Sequence, residues 1–182
     1  ATQNVVLNLD GMNITNSNDA EYSGNPVVRV RNLATVNVND KTVITSNGAS
    51  YGVAANTDGS TLNINKGATI VQQNSGTTGG NSVFAAVGGK GVINIMGGTI
   101  TSDKFGVHTM TTGTPVINIS GGTITAPVAL KSSTNGGNGE LATINVTGGT
   151  INGTLETYTE NGKIVVSGGT FDAAVDTKYV AT

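Results

Sequence analysis

A nine-residue phrase recurs along most of this 182-residue chain, and it limits the fold more than any other feature. Its cleanest form is Ile117-Asn118-Ile119-Ser120-Gly121-Gly122-Thr123-Ile124-Thr125, with close copies from Ile93 to Thr101, Ile144 to Asn152 and Ile164 to Asp172. Looser copies begin at Leu7, Val36 and Leu62. First positions at 7, 36, 62, 93, 117, 144 and 164 leave spacings of 29, 26, 31, 24, 27 and 20 residues. A constant phrase joined by spacers of unequal length marks stacked supersecondary units whose insertions emerge at turns.

Apolar residues alternate within each copy, as at Ile93 and Ile95 or Val36 and Val38. Period-2 alternation buries one face of a strand. The Gly-Gly pair then permits a sharp corner close to a neighbouring backbone. A second strand follows, directing Ile100, Ile124, Ile151 and Phe171 inward. A third short apolar stretch comes next in most copies, including Gly52–Ala55, Gly106–Thr109 and Val128–Leu130. No segment sustains a helical period. These patterns predict an all-β chain folded as a right-handed parallel β-helix (a β-solenoid) of about seven coils, three short strands per coil, in a single domain over residues 1–182.

Composition narrows the chemistry. Nine Lys and Arg against eleven Asp and Glu give a net charge of -2, which argues against nucleic acid as a partner. No run reaches the length of a membrane-spanning helix, so membrane insertion is not expected. There is no Cys, hence no disulfide or thiol chemistry. The acids are scattered, and the repeat register brings no pair onto one face in adjacent coils, so neither a metal site, nor a cofactor, nor a catalytic carboxylate pair is expected. His108, the one histidine, falls where alternation points it outward, away from any acid, and reads as an exposed surface residue. The glycine pairs elsewhere lack the strand–loop–helix setting and the Lys of a phosphate loop. No catalytic residue is expected.

The outward positions form polar ladders. One comprises Asn8, Asn37, Asn63, Asn94, Asn118 and Asn145, and ends at Val165. Another pairs Thr99 with Thr101 and Thr123 with Thr125, then passes to Thr150 with Asn152 and Thr170 with Asp172. Stacked Asn amides can bond one another along parallel coils, and Thr suits a pleated surface, so both ladders have a structural explanation. They also supply the candidate binding residues: Thr99, Thr101, Thr123, Thr125, Asn94, Asn118 and Asn145. Arg29 and Arg31, which flank inward Val30, are candidates for an anionic sugar. The long Gly/Asn/Ser/Thr-rich spacers from Gln72 to Asn81 and Ser132 to Glu140 are candidate recognition loops.

The phrase Val/Ile-x-Ile-x-Gly-Gly-Thr-Ile/Phe with variable spacers resembles the pectate-lyase-like right-handed β-helix domains of bacterial surface proteins and adhesins. The opening Val6–Thr15 and the closing Ser167–Phe171 with Tyr179-Val180-Ala181 are similar to the first and last coils of that family. The resemblance implies a secreted or bacterial cell-surface, non-catalytic adhesion or display module, excised from a longer surface protein. Its expected partners are a host or environmental glycan or a host surface protein, met through a lateral face and projecting loops. The alternatives are a structural stalk or end-to-end self-association, and a degenerate polysaccharide lyase or hydrolase. Paired outward Thr also resembles the arrangement of β-solenoid ice-binding proteins.

Overall fold

The computed structural model describes residues 4–16, 25–48, 51–73, 81–85, 91–111, 114–134, 142–158 and 162–182. The first coil consists of β1 (Val6–Leu9), β2 (Asn13–Thr15) and β3 (Pro26–Val30). The second has β4 (Thr35–Val38), β5 (Val43–Asn47) and β6 (Tyr51–Ala55), and the third β7 (Thr61–Ile64), β8 (Thr69–Gln73) and β9 (Asn81–Ala85). There follow β10 (Val92–Ser102), β11 (Phe105–Thr111), β12 (Val116–Thr134), β13 (Ala142–Val146), β14 (Thr150–Tyr158), β15 (Gly162–Val166) and β16 (Thr170–Phe171). Strand pairing gives three parallel ladders. The first face stacks β1, β4, β7, β10, β12, β13 and β15. The second stacks β2, β5, β8, β10, β12, β14 and β16. The third stacks β3, β6, β9, β11, β12 and β14. The chain is a parallel β-solenoid, nearly all β, as the repeat predicts.

The expected division into about seven coils of three short strands needs correction. Only the first three coils carry a separate strand on every face. Strands β10 and β14 each bend through two faces and β12 through all three, while the last coil has no third-face strand among the described residues. The first corner varies in length from coil to coil. In the second and third coils four residues separate the two faces (39–42 and 65–68), and they close into turns from Thr42 N–H to the Asn39 carbonyl and from Ala68 N–H to the Asn65 carbonyl. Only three residues lie at the Met96-Gly97-Gly98 and Ser120-Gly121-Gly122 corners, through which β10 and β12 run unbroken, although the equally short Thr147-Gly148-Gly149 corner separates β13 from β14. Gly122 makes this possible with a φ of 86°, and a Cβ there would lie 2.6 Å from the Gly97 carbonyl oxygen of the coil before.

Alternation does the rest. The column Leu9–Val38–Ile64–Ile95–Ile119–Val146–Val166 points inward from the first face and is buried throughout. Ile44, Ile70, Ile100, Ile124 and Ile151 form the matching column of the second face. Each such side chain contributes on the order of 1.5–3 kcal/mol, so stabilisation is spread along the stack.

The two ends differ. Leu7 and Ile164 occupy the same inward column, yet Leu7 is 49 % exposed and Ile164 only 3 %. At the last coil a 3-10 turn, Thr177–Tyr179, places Tyr179 in the core. The Tyr179 hydroxyl donates to the Leu155 carbonyl oxygen at 3.3 Å, Val180 pairs with Val166, and Ala181 N–H donates to the Val166 carbonyl. Nothing comparable closes the first coil among the described residues.

Replacing Ile119 with Ala, at a fully buried central position, is expected to destabilise the fold by about 2–5 kcal/mol. Urea denaturation followed by circular dichroism measures this directly. A loss below about 1 kcal/mol would place Ile119 outside the core.

Candidate functional site

On the first face the asparagines are committed to one another. Asn37 Nδ2 donates to Asn8 Oδ1 at 2.7 Å, Asn63 to Asn37 at 2.8 Å and Asn94 to Asn63 at 2.9 Å. Asn118 donates to Asn94, and Asn145 to Asn118, each at 3.0 Å. Every bond runs from a later coil to the earlier one. The candidate residues Asn94, Asn118 and Asn145 are therefore brought together, half-buried, with both functions of the central amides used inside the ladder. At the far edge of the second face Asn16 and Asn47 exchange bonds between side-chain amides and backbone, and Gln73 Nε2 donates to Asn47 Oδ1 at 2.7 Å.

The second face carries threonine. Its register aligns Thr69, Thr99, Thr123, Thr150 and Thr170 in one column across consecutive coils. A parallel column runs Thr15, Thr45, Val71, Thr101, Thr125 and Asn152. The candidates Thr99, Thr101, Thr123 and Thr125 thus lie on one surface, but the array is longer than the repeated phrase suggests. Thr69 was hidden because the four-residue corner of its coil shifts it one place out of the nine-residue frame. The array does not extend to Asp172, which lies just past the paired residues and donates its N–H to the Ile151 carbonyl. In the second column Asn152 Nδ2 donates to Thr125 Oγ1 at 3.1 Å. Among the described residues no side-chain hydrogen bond engages Thr69, Thr99, Thr123, Thr150 or Thr170.

Arg29 and Arg31 do not join these arrays. Arg29 lies on β3 of the third face, half-buried, and its Nη2 donates to Asn25 Oδ1 at 2.9 Å. Arg31 is exposed beyond the end of that strand, where its carbonyl accepts from Ala34 N–H.

His108 departs from expectation: it is 5 % exposed. Its alternation is outward, but the ring packs against Phe105, with centroids 5.3 Å apart, and beside its register partner Lys131. Lys131 Nζ in turn lies 4.6 Å from the Phe105 ring centre and 3.4 Å from a Glu156 carboxylate oxygen. His108 Nε2 is 2.9 Å from Ser133 Oγ, whose hydroxyl donates to the Thr109 carbonyl at 2.7 Å. With the serine proton spent there, Nε2 carries the hydrogen and donates to Ser133. The imidazole is a donor to this serine, the reverse of a general base. Burial, and secondarily the Lys131 charge, lower the His108 pKa to about 3.

Among the described residues no group of three or more His, Cys, Asp or Glu could hold a metal ion. An open cavity of about 300 Å³ beside the third face is lined by Leu155, Phe171, Val175 and Tyr179, with Asp172 and Asp176 at its wall. Most of the two candidate recognition loops, residues 74–80 and 135–141, lies outside the described residues. No helix among the described residues is long and apolar enough to cross a membrane. Compared with known family models, curated proteins and solved structures, the chain matches none.

The buried histidine gives a pH dependence with a definite sign. Above pH ~6.5 it is neutral both folded and unfolded, so it adds no slope. As pH falls from ~6.5 towards 3 only the unfolded chain takes up the proton, and stability declines by about 1.4 kcal/mol per pH unit. Urea denaturation at pH 6.5 and 5.5, above the usual carboxylate range, should show a loss of about 1 kcal/mol over that unit in the native chain and no such loss in His108→Asn, the unfolded imidazole being half protonated at the upper pH. Equal slopes in the two proteins would contradict the neutral buried imidazole. Interrupting the amide ladder with Asn118→Ala is expected to lower stability by about 1–3 kcal/mol in the same experiment, since two amide partners lose a hydrogen bond.

Proposed function

We propose that the chain is a non-catalytic adhesion or display module of a secreted or bacterial cell-surface protein, and that it binds a neutral, hydroxyl-rich glycan or a host protein through its second face. One observation carries this reading: the threonine column from Thr69 to Thr170, flanked by Thr101 and Thr125, presents hydroxyl and methyl groups at the ~4.8 Å coil spacing. The asparagines of the first face are used internally, whereas among the described residues no side-chain hydrogen bond engages Thr69, Thr99, Thr123, Thr150 or Thr170. A rigid flat array at a fixed repeat suits an extended partner that repeats on a similar scale, and a preorganised surface lowers the ordering cost of binding. Low charge favours a neutral polymer over an acidic one. The resemblance of the repeated phrase to β-helix domains of bacterial surface proteins supports the location.

The length of the column also favours a second reading, in which the same threonines order water and bind ice. Both readings use one surface, and different assays separate them. Substituting Val for Thr99, Thr101, Thr123 and Thr125 together removes four hydroxyls at nearly constant shape. On a glycan and host-protein array, the native chain should bind at least one neutral polymer, and the quadruple variant should bind at least about tenfold more weakly, equivalent to ~1.4 kcal/mol. Unchanged binding by the variant would reject the threonine face. Absence of any array ligand together with thermal hysteresis in the native chain would replace adhesion with ice binding.

A further inference from the structure

We infer that Asn152-Gly153 is a self-modification site, at which the Gly153 nitrogen attacks the Asn152 side-chain carbonyl and the amide is replaced by an acid on the threonine face. Two Asn-Gly pairs lie among the described residues, Asn47-Gly48 and Asn152-Gly153. A following glycine has no side chain to obstruct this cyclisation, so both pairs carry the same intrinsic chemistry. The fold separates them. Asn47 Nδ2 donates to the Asn16 carbonyl at 3.3 Å, and Asn47 Oδ1 accepts from Gln73 Nε2 at 2.7 Å. Its backbone N–H donates to Asn16 Oδ1, and its carbonyl accepts from Asn16 Nδ2. The Gly48 N–H, which would be the nucleophile, donates to the Gln73 carbonyl at 3.0 Å.

Asn152 is held far less. Its Nδ2 donates to Thr125 Oγ1 at 3.1 Å on the exposed surface, and among the described residues no hydrogen bond engages its Oδ1. The backbone is irregular here. Asn152 pairs with Thr125 and Thr154 with Val128, so Gly153 alone faces Ala126 and Pro127. That mismatch is a bulge in the ladder, and Pro127 has no N–H to contribute to it. On the other side β16 pairs only with Thr150 and Ile151, and the Asp172 N–H reaches the Ile151 carbonyl. Gly153 has a φ of 129°, and a Cβ there would collide with the Ala126 carbonyl oxygen. The bond at which cyclisation must occur thus lies outside regular pairing on both sides. Gly153 and Thr154 also line the open cavity beside the third face, which admits the water that the reaction consumes.

Water is the sole co-reactant. A bond forms between the Gly153 nitrogen and Asn152 Cγ while the Cγ–Nδ2 bond breaks. The departing nitrogen takes the proton of the Gly153 N–H and leaves as ammonia, and a cyclic imide remains. Water then opens the imide at either carbonyl. Opening at Cγ gives aspartate, and opening at the Asn152 backbone carbonyl gives isoaspartate, whose main chain carries one extra carbon. Neither step is a redox step. A carboxylate only accepts hydrogen bonds, so the present donation from residue 152 to Thr125 must reverse, with the Thr125 hydroxyl turning its proton towards the new acid. Negative charge thereby enters the second threonine column directly beside Thr125.

The test ages the intact chain in mildly alkaline buffer, folded and, in parallel, unfolded in guanidinium chloride. Peptide mass mapping and an isoaspartate assay then read each site. In the folded chain Asn152 should convert at least about tenfold faster than Asn47, the scale of the hydrogen bond that Gly48 must first release. In guanidinium chloride the two should convert at similar rates, which assigns the difference to the fold. Aspartate and isoaspartate should both appear at position 152, as the cyclic route requires. Asn152→Gln, which keeps the amide but needs a larger ring, should remain unconverted. The inference fails if Asn47 converts as fast as Asn152 in the folded chain, or if their ratio is the same when unfolded. It also fails if aspartate alone forms at position 152, since hydrolysis would then have bypassed Gly153. None of these outcomes depends on what the threonine face binds.

Discussion

The parallel backbone ladder that seats each coil over the last is the constraint on which everything else rests. Because strands pair without slippage across the first face, identical positions of the repeat become vertical columns. Inward columns become a continuous aliphatic core, and outward columns become lines of identical chemistry. A one-residue slip would turn each strand's buried residues outward, so the core and the polar ladders specify the same register together. The Gly-Gly corner serves this arrangement: at Gly122 any side chain would collide with the carbonyl of the coil before, and the stack would separate.

The same register produces opposite outcomes on two neighbouring faces. An Asn amide carries both a donor and an acceptor, so a column of them satisfies itself, each coil donating to the one before. A Thr hydroxyl is shorter and does not span to its neighbour, leaving a line of hydroxyls and methyls facing outward. The first face is consequently a source of internal order, and the second the better surface for recognition. Among the described residues the ladder runs from Asn8, whose amide oxygen accepts from Asn37, to Asn145, whose register partner in the last coil is Val165, so its bonds all point one way along the stack. Tyr179 and Val180 finish that last coil, so the molecule is polar along its axis.

Much of the fold was legible in the amino-acid sequence because the repeated phrase states it directly. Alternating Ile and Val identify the inward columns, and recurring Asn at a fixed place identifies the first ladder. Other features depend on spacing that the phrase conceals. Thr69 joins the threonine column only because a four-residue corner replaces the Gly-Gly corner, a difference that shifts the frame by one. His108 illustrates a different limit. Alternation gave its direction correctly, but its burial arises from Phe105 on its own strand together with Lys131 and Ser133, which reach it only when the next coil stacks alongside. The closure of the last coil by a 3-10 turn likewise rests on contacts of Tyr179 with Leu155 and the core, which no local pattern announces.

Coil register is the central claim, and it can be tested by disulfide closure in a chain that has no cysteine of its own. Thr99 and Thr123 are register partners on adjacent coils of the second face. Their Cα atoms are expected at about 4.8 Å, within the range a disulfide spans, whereas Thr99 and Thr125 are diagonal and lie beyond about 7 Å. The double variant Thr99→Cys with Thr123→Cys should therefore oxidise to an intramolecular disulfide with the fold retained, and Thr99→Cys with Thr125→Cys should remain reduced under the same conditions. Preferential closure of the diagonal pair would contradict the register, and with it the columns on which the core, the amide ladder and the threonine face all depend.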